Sequence, residues 1–110
     1  MDYFILQYIK QNMRKRGIIK YHFEPYVFIS ITGNFPKLHL INANNEYFYL
    51  VSKQIANGCF IESENERFYS DNYNSLSFSA IREFTGQIKI SVPPDLYPSQ
   101  VFEFIRVIPE

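Results

Sequence analysis

The chain has 110 residues, of which 46% are hydrophobic and 20% charged. This length and composition predict one globular domain spanning residues 1–110 and exclude a disordered chain. Eleven basic and eleven acidic side chains cancel, so no net field attracts a polyanion, which argues against a dedicated nucleic-acid-binding protein.

The first predicted element is an amphipathic α-helix over residues 2–16. Apolar side chains recur at helical spacing from Ile5 to Met13, and Gly17 stands where a left-handed cap ends a helix. A basic cluster follows the same segment: Lys10, Arg14, Lys15 and Arg16. Cations in the last turn stabilise the negative end of the helix dipole, and a patch for phosphate or membrane surfaces is the alternative interpretation.

From residue 18 to 109 the period of the hydrophobic pattern falls to two, which predicts a β-rich body. Residues 26–32 are apolar on both faces and predict a central strand. Two further strands are expected on either side of a turn at 42–45, and another begins after the Asn-Gly pair at 57–58.

The clearest alternation of apolar and polar side chains comes late, at 76–80 and 87–92, and predicts two strands with one buried face each. Residues 80–85 fit either a strand or a single helical turn. A proline-fixed connection at 93–98 leads to a last strand over 101–108. Roughly seven to nine short strands predict a mainly β fold, an antiparallel jelly-roll-like β-sandwich behind one helix, with a partly open OB- or SH3-like barrel as the alternative.

The sequence contains no catalytic signature, and its glycines are too scattered for a phosphate-binding loop. His22 and His39 are not spaced as metal ligands. Cys59 lies in an apolar run, which indicates a small buried hydrophobe and not a nucleophile. Alternate glutamates over 62–66 would line a solvated strand edge if the segment is extended. We therefore expect no metal, no cofactor and no enzymatic activity.

Aromatic residues are the one functional clue, because nine tyrosines and eleven phenylalanines make up 18% of the chain. Residues 68–78 combine tyrosines with serine, asparagine and aspartate, the mixture found in antibody-like binding loops. The predicted protein-binding face consists of Tyr69, Tyr73, Asn74 and Tyr97. For Tyr69 and Tyr73 the alternative is structural, with the rings folded over the end of the core as in a tyrosine corner.

These features together predict a non-enzymatic protein–protein interaction module, such as a phage-encoded inhibitor, a toxin-immunity partner or a small virion component. Its partner would be another protein or a second copy of the chain. One alternative is single-stranded nucleic-acid binding, with bases stacked on Tyr21, Tyr47 or Tyr49 and the phosphates along the basic cluster. Another is an enzyme with an unrecognised pocket. If the helix did not dock on the sheet, its apolar stripe would itself be an attachment element.

The sequence favours a cytoplasmic protein, or a virion protein if it is phage-encoded. A lone cysteine and the lack of an Asn-x-Ser/Thr site give no sign of secretion. The opening apolar run precedes positive charge, unlike a signal peptide, and is shorter than the roughly 18 residues that a membrane span needs.

Overall fold

The computed structural model describes residues 2–31, 38–52, 54–71, 81–93 and 100–110. The elements in these ranges are α1 (Tyr3–Lys15), β1 (Tyr21–Ile31), β2 (Leu38–Leu50), β3 (Phe60–Glu62), β4 (Arg67–Tyr69), β5 (Arg82–Ser91) and β6 (Gln100–Pro109). The six strands form one antiparallel sheet in the order β1-β6-β2-β5-β3-β4. The predicted mainly β architecture with one N-terminal helix is confirmed, and the sheet is compatible with a sandwich or an open barrel.

The helix α1 is confirmed to within one residue at each end. At its start, the Asp2 side chain accepts a hydrogen bond of 2.7 Å from the backbone N–H of Phe4. At its end, Gly17 takes the left-handed conformation with φ +74°. This lets the N–H of Ile18 reach back to the carbonyl of Met13 at 2.9 Å, as in a Schellman motif. Both ends are therefore fixed by local sequence.

Apolar side chains are buried on both faces of the sheet. Along β2, Phe48 and Leu50 point into one buried cluster and Tyr49, between them, into another. The first core, on what we call the inner face, contains Ile31, Ala43, Phe48, Leu50, Ile55, Cys59, Ile61, Phe68, Phe84, Ile88, Ile90, Val92, Phe102 and Phe104. Among the described residues, Ile55 and Cys59, which precede β3, also pack into this core on the inner face.

The second core lies on the outer face, beneath α1. It contains Ile9, Met13, Tyr49, Val51, Ile81, Ile105 and Val107. Ile9 and Met13, one helical turn apart, are both fully buried there. The helix is therefore docked on the sheet, and the hypothesis of a free attachment helix is wrong for this structure.

The segment at 26–32, expected to form a central strand, belongs to a strand at the edge of the sheet. Among the described strands, β1 pairs with β6 alone. The pairing skips Pro25 and Tyr26, which together oppose the single residue Ile105 and form a β-bulge. The prediction failed because Phe28 is apolar yet 58% exposed, and a run that is apolar on both faces does not reveal which face is covered.

The two strands expected around a turn at 42–45 are one strand, β2. Residues 44–46 form an insertion between Ala43 and Tyr47 that has no counterpart on β5. Gly86, opposite the insertion, has φ +79°, and a Cβ there would come within 2.9 Å of a glutamate side chain. Asparagines and a glycine suit such a bulge as well as they suit a turn, so composition did not separate the two.

Four further expectations are corrected or lie outside the described residues. β5 begins at Arg82, so a helical turn over 80–85 is wrong for its described part. β3 and β4 form a hairpin, so the glutamates at 62–66 do not share one extended strand. The strand predicted at 76–80 lies outside the described residues, as does most of the proline-fixed connection.

Candidate functional site

The outer face of the sheet is covered by α1 over only part of its length. Side chains alternate along β5, so Glu83 beneath the helix and Lys89 point to the same side. Six residues of strand separate them, about 20 Å. Beyond α1 this outer surface is formed by β3, β4 and the adjoining ends of β2 and β5. We call it the open face; its residues are Leu38, Leu40, Phe60, Glu62, Arg67, Tyr69, Lys89 and Ser91.

Strand pairing arranges the open face in two rows. The first row runs across four strands in the order Leu38, Ser91, Phe60, Tyr69. The second row, parallel to it, is Leu40, Lys89, Glu62, Arg67. Directly opposed residues have Cβ atoms about 4.5–5.5 Å apart, so each row is contiguous. The first row is therefore mainly apolar and aromatic. In the second row, Leu40 is followed by side chains of alternating charge: Lys89, Glu62 and Arg67.

The apolar side chains of the open face are accessible to a partner. Leu40 is 57% exposed, Leu38 42% and Tyr69 62%. The Tyr69 ring lies 6.3 Å from the Phe60 ring, centroid to centroid, which keeps the two rings together on the surface. A groove of about 480 Å³ is lined by both leucines, Glu62 and Lys89, together with Ser63, Glu64 and Gln87. Contiguous exposed apolar side chains of this kind mark interaction surfaces.

The predicted binding face is placed only in part. Tyr69 lies on the open face, at the end of β4, whereas Tyr73, Asn74 and Tyr97 lie outside the described residues. Sequence reasoning missed Leu38, Leu40 and Phe60. The alternation of the two leucines with His39 was a usable signal for a strand, but it did not show that their side of the sheet is uncovered.

The basic cluster predicted on α1 is divided by the fold. Lys10, Arg14 and Lys15 are exposed on the helix surface. Arg16 instead turns toward the sheet, where its guanidinium lies 4.8 Å from the centre of the Tyr47 ring and pairs with the buried carboxylate of Glu83. Arg16 is therefore engaged with the sheet although its side chain is 36% exposed, whereas the other three cations lie on the outer surface of the helix.

Glu83 is the centre of a polar cluster between α1 and the sheet. Arg16 donates to both carboxylate oxygens, with Nη1 at 3.0 Å from Oε2. The hydroxyl of Tyr49 donates to the same Oε2, and the amide nitrogen of Asn12 lies 3.4 Å from the Tyr49 hydroxyl. The cluster borders a cleft of about 410 Å³ lined by Tyr8, Asn12, Lys15, Arg16, Asn65, Glu66 and Glu83.

The chemistry of this cluster is structural. Burial, together with the hydrogen bond to Glu83, raises the pKa of Tyr49 far above its ordinary value. The phenol therefore stays protonated and donates a hydrogen bond to Glu83, and it does not act as a base. Glu83 in turn is held by Arg16 and Tyr49. The cluster fastens the C-terminal end of α1 to β2 and β5 by satisfying a carboxylate that the docked helix buries.

The packing of α1 also affects the three tyrosines that were proposed to stack on nucleic-acid bases. Tyr49 is fully buried, so no base can stack on it. Tyr47 is half-buried beneath Arg16, and Tyr21 packs against the second core. Tyr49 is therefore closed to a base, whereas Tyr21 and Tyr47 each keep part of the ring exposed.

Cys59 lies in the first core and is fully buried. Burial raises the pKa of its thiol to about 11. A thiol that stays protonated at neutral pH and is closed to solvent does not act as a nucleophile. Within the described ranges, no three His, Cys, Asp or Glu side chains converge as metal ligands.

The Cys59 thiol predicts a loss of stability in alkali. Below pH 9.0, its ordinary pKa, the thiol is protonated in both states and its titration changes nothing. As pH rises from 9.0 toward 11, only the unfolded chain loses the proton, so the free energy of unfolding falls. We expect this fall to be about 2 kcal/mol, since one pKa unit is worth about 1.4 kcal/mol.

Urea unfolding of the wild type and of Cys59→Ala measures this effect. Cys59 is the only titratable group that differs between the two proteins, so the difference between them isolates its contribution. The stability advantage of the wild type should therefore shrink by about 2 kcal/mol between about pH 8 and pH 11. A difference that does not change with pH would show that the thiol is not buried in solution.

Comparison of the chain with protein-family models, with curated proteins and with solved structures finds no significant match in any of the three. Within the part of the chain that is described, α1 is neither long enough nor apolar enough to cross a membrane.

Proposed function

We propose that the chain is a non-enzymatic protein-interaction module that binds a partner protein through the open face. The observation that carries this proposal is the exposed apolar row from Leu38 to Tyr69, on the part of the outer face that α1 leaves uncovered. Inhibitors, immunity proteins and small virion components all work by occupying another protein's surface in this way.

The two rows define what the partner must present. Opposite the first row it supplies apolar side chains, as Ile9 and Met13 of α1 do on the covered part of the same face. Opposite the second row it supplies charges of both signs, because Lys89 and Arg67 flank Glu62. The Nε of Arg67 lies 4.0 Å from a Glu62 oxygen, at the limit of an ion pair, so these charges are available to the partner.

The open face is the centre of the interface and not its whole extent. A stable interface buries about 800 Å² on each partner, more than eight residues provide. Aromatic side chains near the centre of an interface contribute most of its binding energy, and Tyr69 with Phe60 fits that position. Two described groups support binding over catalysis. The Glu83 carboxylate is already bound by Arg16 and Tyr49, and the Cys59 thiol is fully buried.

Matched variants test the proposal. Wild type, Leu40→Asp, Tyr69→Ala and the control Ile19→Asp are used as bait in a lysate of the native host, with quantitative mass spectrometry. Ile19 is 88% exposed and lies between α1 and β1, away from the open face. A protein enriched by the wild type is then purified and its affinity for all four baits is measured.

We expect Leu40→Asp and Tyr69→Ala each to weaken binding at least tenfold, equivalent to about 1.4 kcal/mol, without changing the melting temperature. Ile19→Asp should bind like the wild type. The proposal fails if the open-face variants bind as tightly as the control, or if the wild type enriches no protein that the Leu40→Asp bait loses.

A further inference from the structure

β1 forms an unusually long edge to the sheet. It has 11 residues, whereas strands average about five to six and exposed edge strands are usually shorter still. Among the described strands only β6 pairs with it, so no second described strand pairs with the N–H and C=O groups on its other side. Such an edge is a template for pairing with another strand.

Features that prevent an edge strand from pairing with another chain occur only in the first half of β1. Glu24 carries charge, Pro25 lacks an N–H, and the bulge with Tyr26 at φ +64° bends the strand. The second half, from Val27 to Ile31, has no charge, no proline and no bulge. The opposite edge of the sheet, β4, is three residues long and begins with an arginine, so it needs no further protection.

Exposed apolar side chains accompany the unprotected half. Phe28 on β1 is 58% exposed and Val101 on β6 is 45% exposed. Val101 pairs with Ser30, two residues from Phe28, so the two side chains are diagonal neighbours on one face. The unprotected backbone is thus bordered by apolar surface.

We propose that the second half of β1 pairs antiparallel with the same segment of a second copy, which gives a dimer with one continuous sheet. A twofold arrangement centred on Ile29 places Phe28 of each copy opposite Ser30 of the other. The segment is self-complementary in this register, because it holds no charge that would oppose its own copy. Val101 of the other copy lies one strand beyond that Ser30 in the same row.

Sedimentation or light scattering of the full chain tests this pairing over a concentration range from about 5 to about 200 µM. We expect the mass to rise from 13.1 kDa toward twice that value. Phe28→Lys and Ser30→Lys should each raise the dimer dissociation constant at least tenfold. Each single change places a lysine diagonal to the same lysine of the other copy, and the two changes together place lysines directly opposite one another across the twofold axis.

Two controls separate this surface from others. Ile19→Lys adds the same charge outside β1 and should dimerise like the wild type. Leu40→Asp disrupts the open face and should dimerise as well, which keeps this test independent of the proposed function. A wild type that stays monomeric throughout the range overturns the inference, as does a dimer that Phe28→Lys and Ser30→Lys leave intact.

Discussion

Replacing Ile9 and Met13 together by alanine is expected to lower the free energy of unfolding by about 4 to 10 kcal/mol, because each large-to-small change at a fully buried site costs about 2 to 5 kcal/mol. Both side chains are fully buried in the second core. Domains are stable by only about 5 to 15 kcal/mol in total. The variant should therefore be partly or wholly unfolded, and α1 is an integral part of the fold.

The chain provides a matched control on the same helix. Lys10 and Arg14 have the same spacing but lie on the exposed side of α1, so replacing both by alanine should change stability by no more than about 1 kcal/mol. Urea unfolding followed by circular dichroism measures both variants. If the two double variants unfold at the same urea concentration, the helix is not packed on the sheet in solution.

The helix was the part of the fold that the sequence predicted best, and the reason is physical. Its signals are local: apolar side chains at helical spacing, and Gly17 as the cap at its end. Each acts on residues no more than about four positions away. No information from the rest of the chain was needed to place it.

Strand positions were predictable, but strand neighbours were not. Alternation shows which side chains share a face, and it located β6 and the second half of β5 correctly. It does not show whether a strand is central, as the error over β1 demonstrates. That depends on pairing between residues far apart, such as Phe28 with Glu103, which no local pattern records.

The candidate site was predictable to a similar extent. Composition left Tyr69 either as a surface contact or as a ring folded over the core, and the side chain is 62% exposed. Leu38 and Leu40 could not be recognised as exposed, because the area that α1 covers is decided by how Ile9 and Met13 dock on distant strands. The partnership of Arg16 with Glu83 spans 67 positions and was likewise invisible in the sequence.

The two proposed interaction surfaces lie toward opposite edges of the sheet. β1 ends the strand order on one side, whereas the open face is built mainly on β3, β4 and β5 at the other. Pairing through β1 would therefore leave both open faces uncovered. A dimer with two identical binding faces would gain avidity for a partner that is itself multimeric, since the second contact becomes intramolecular.

Replacing Arg16 by alanine is expected to lower the free energy of unfolding by about 2 to 3 kcal/mol, because it leaves the Glu83 carboxylate buried without a countercharge. Fully buried pairs cost about 3 to 5 kcal/mol to break. The effect here is smaller, since the Arg16 side chain is 36% exposed while that of Glu83 is only 7% exposed. The Tyr49 hydroxyl and Asn12 stay in place but carry no positive charge.

The neighbouring Lys15 provides the control, because it also lines the cleft but is exposed. Lys15→Ala should change stability by about 0.5 kcal/mol or less. Removing both partners as Arg16→Met and Glu83→Met should recover much of the loss, because an apolar pair leaves no buried charge. If Arg16→Ala and Lys15→Ala unfold at the same denaturant concentration, Glu83 does not depend on Arg16, and the docking of α1 is due to its apolar side chains alone.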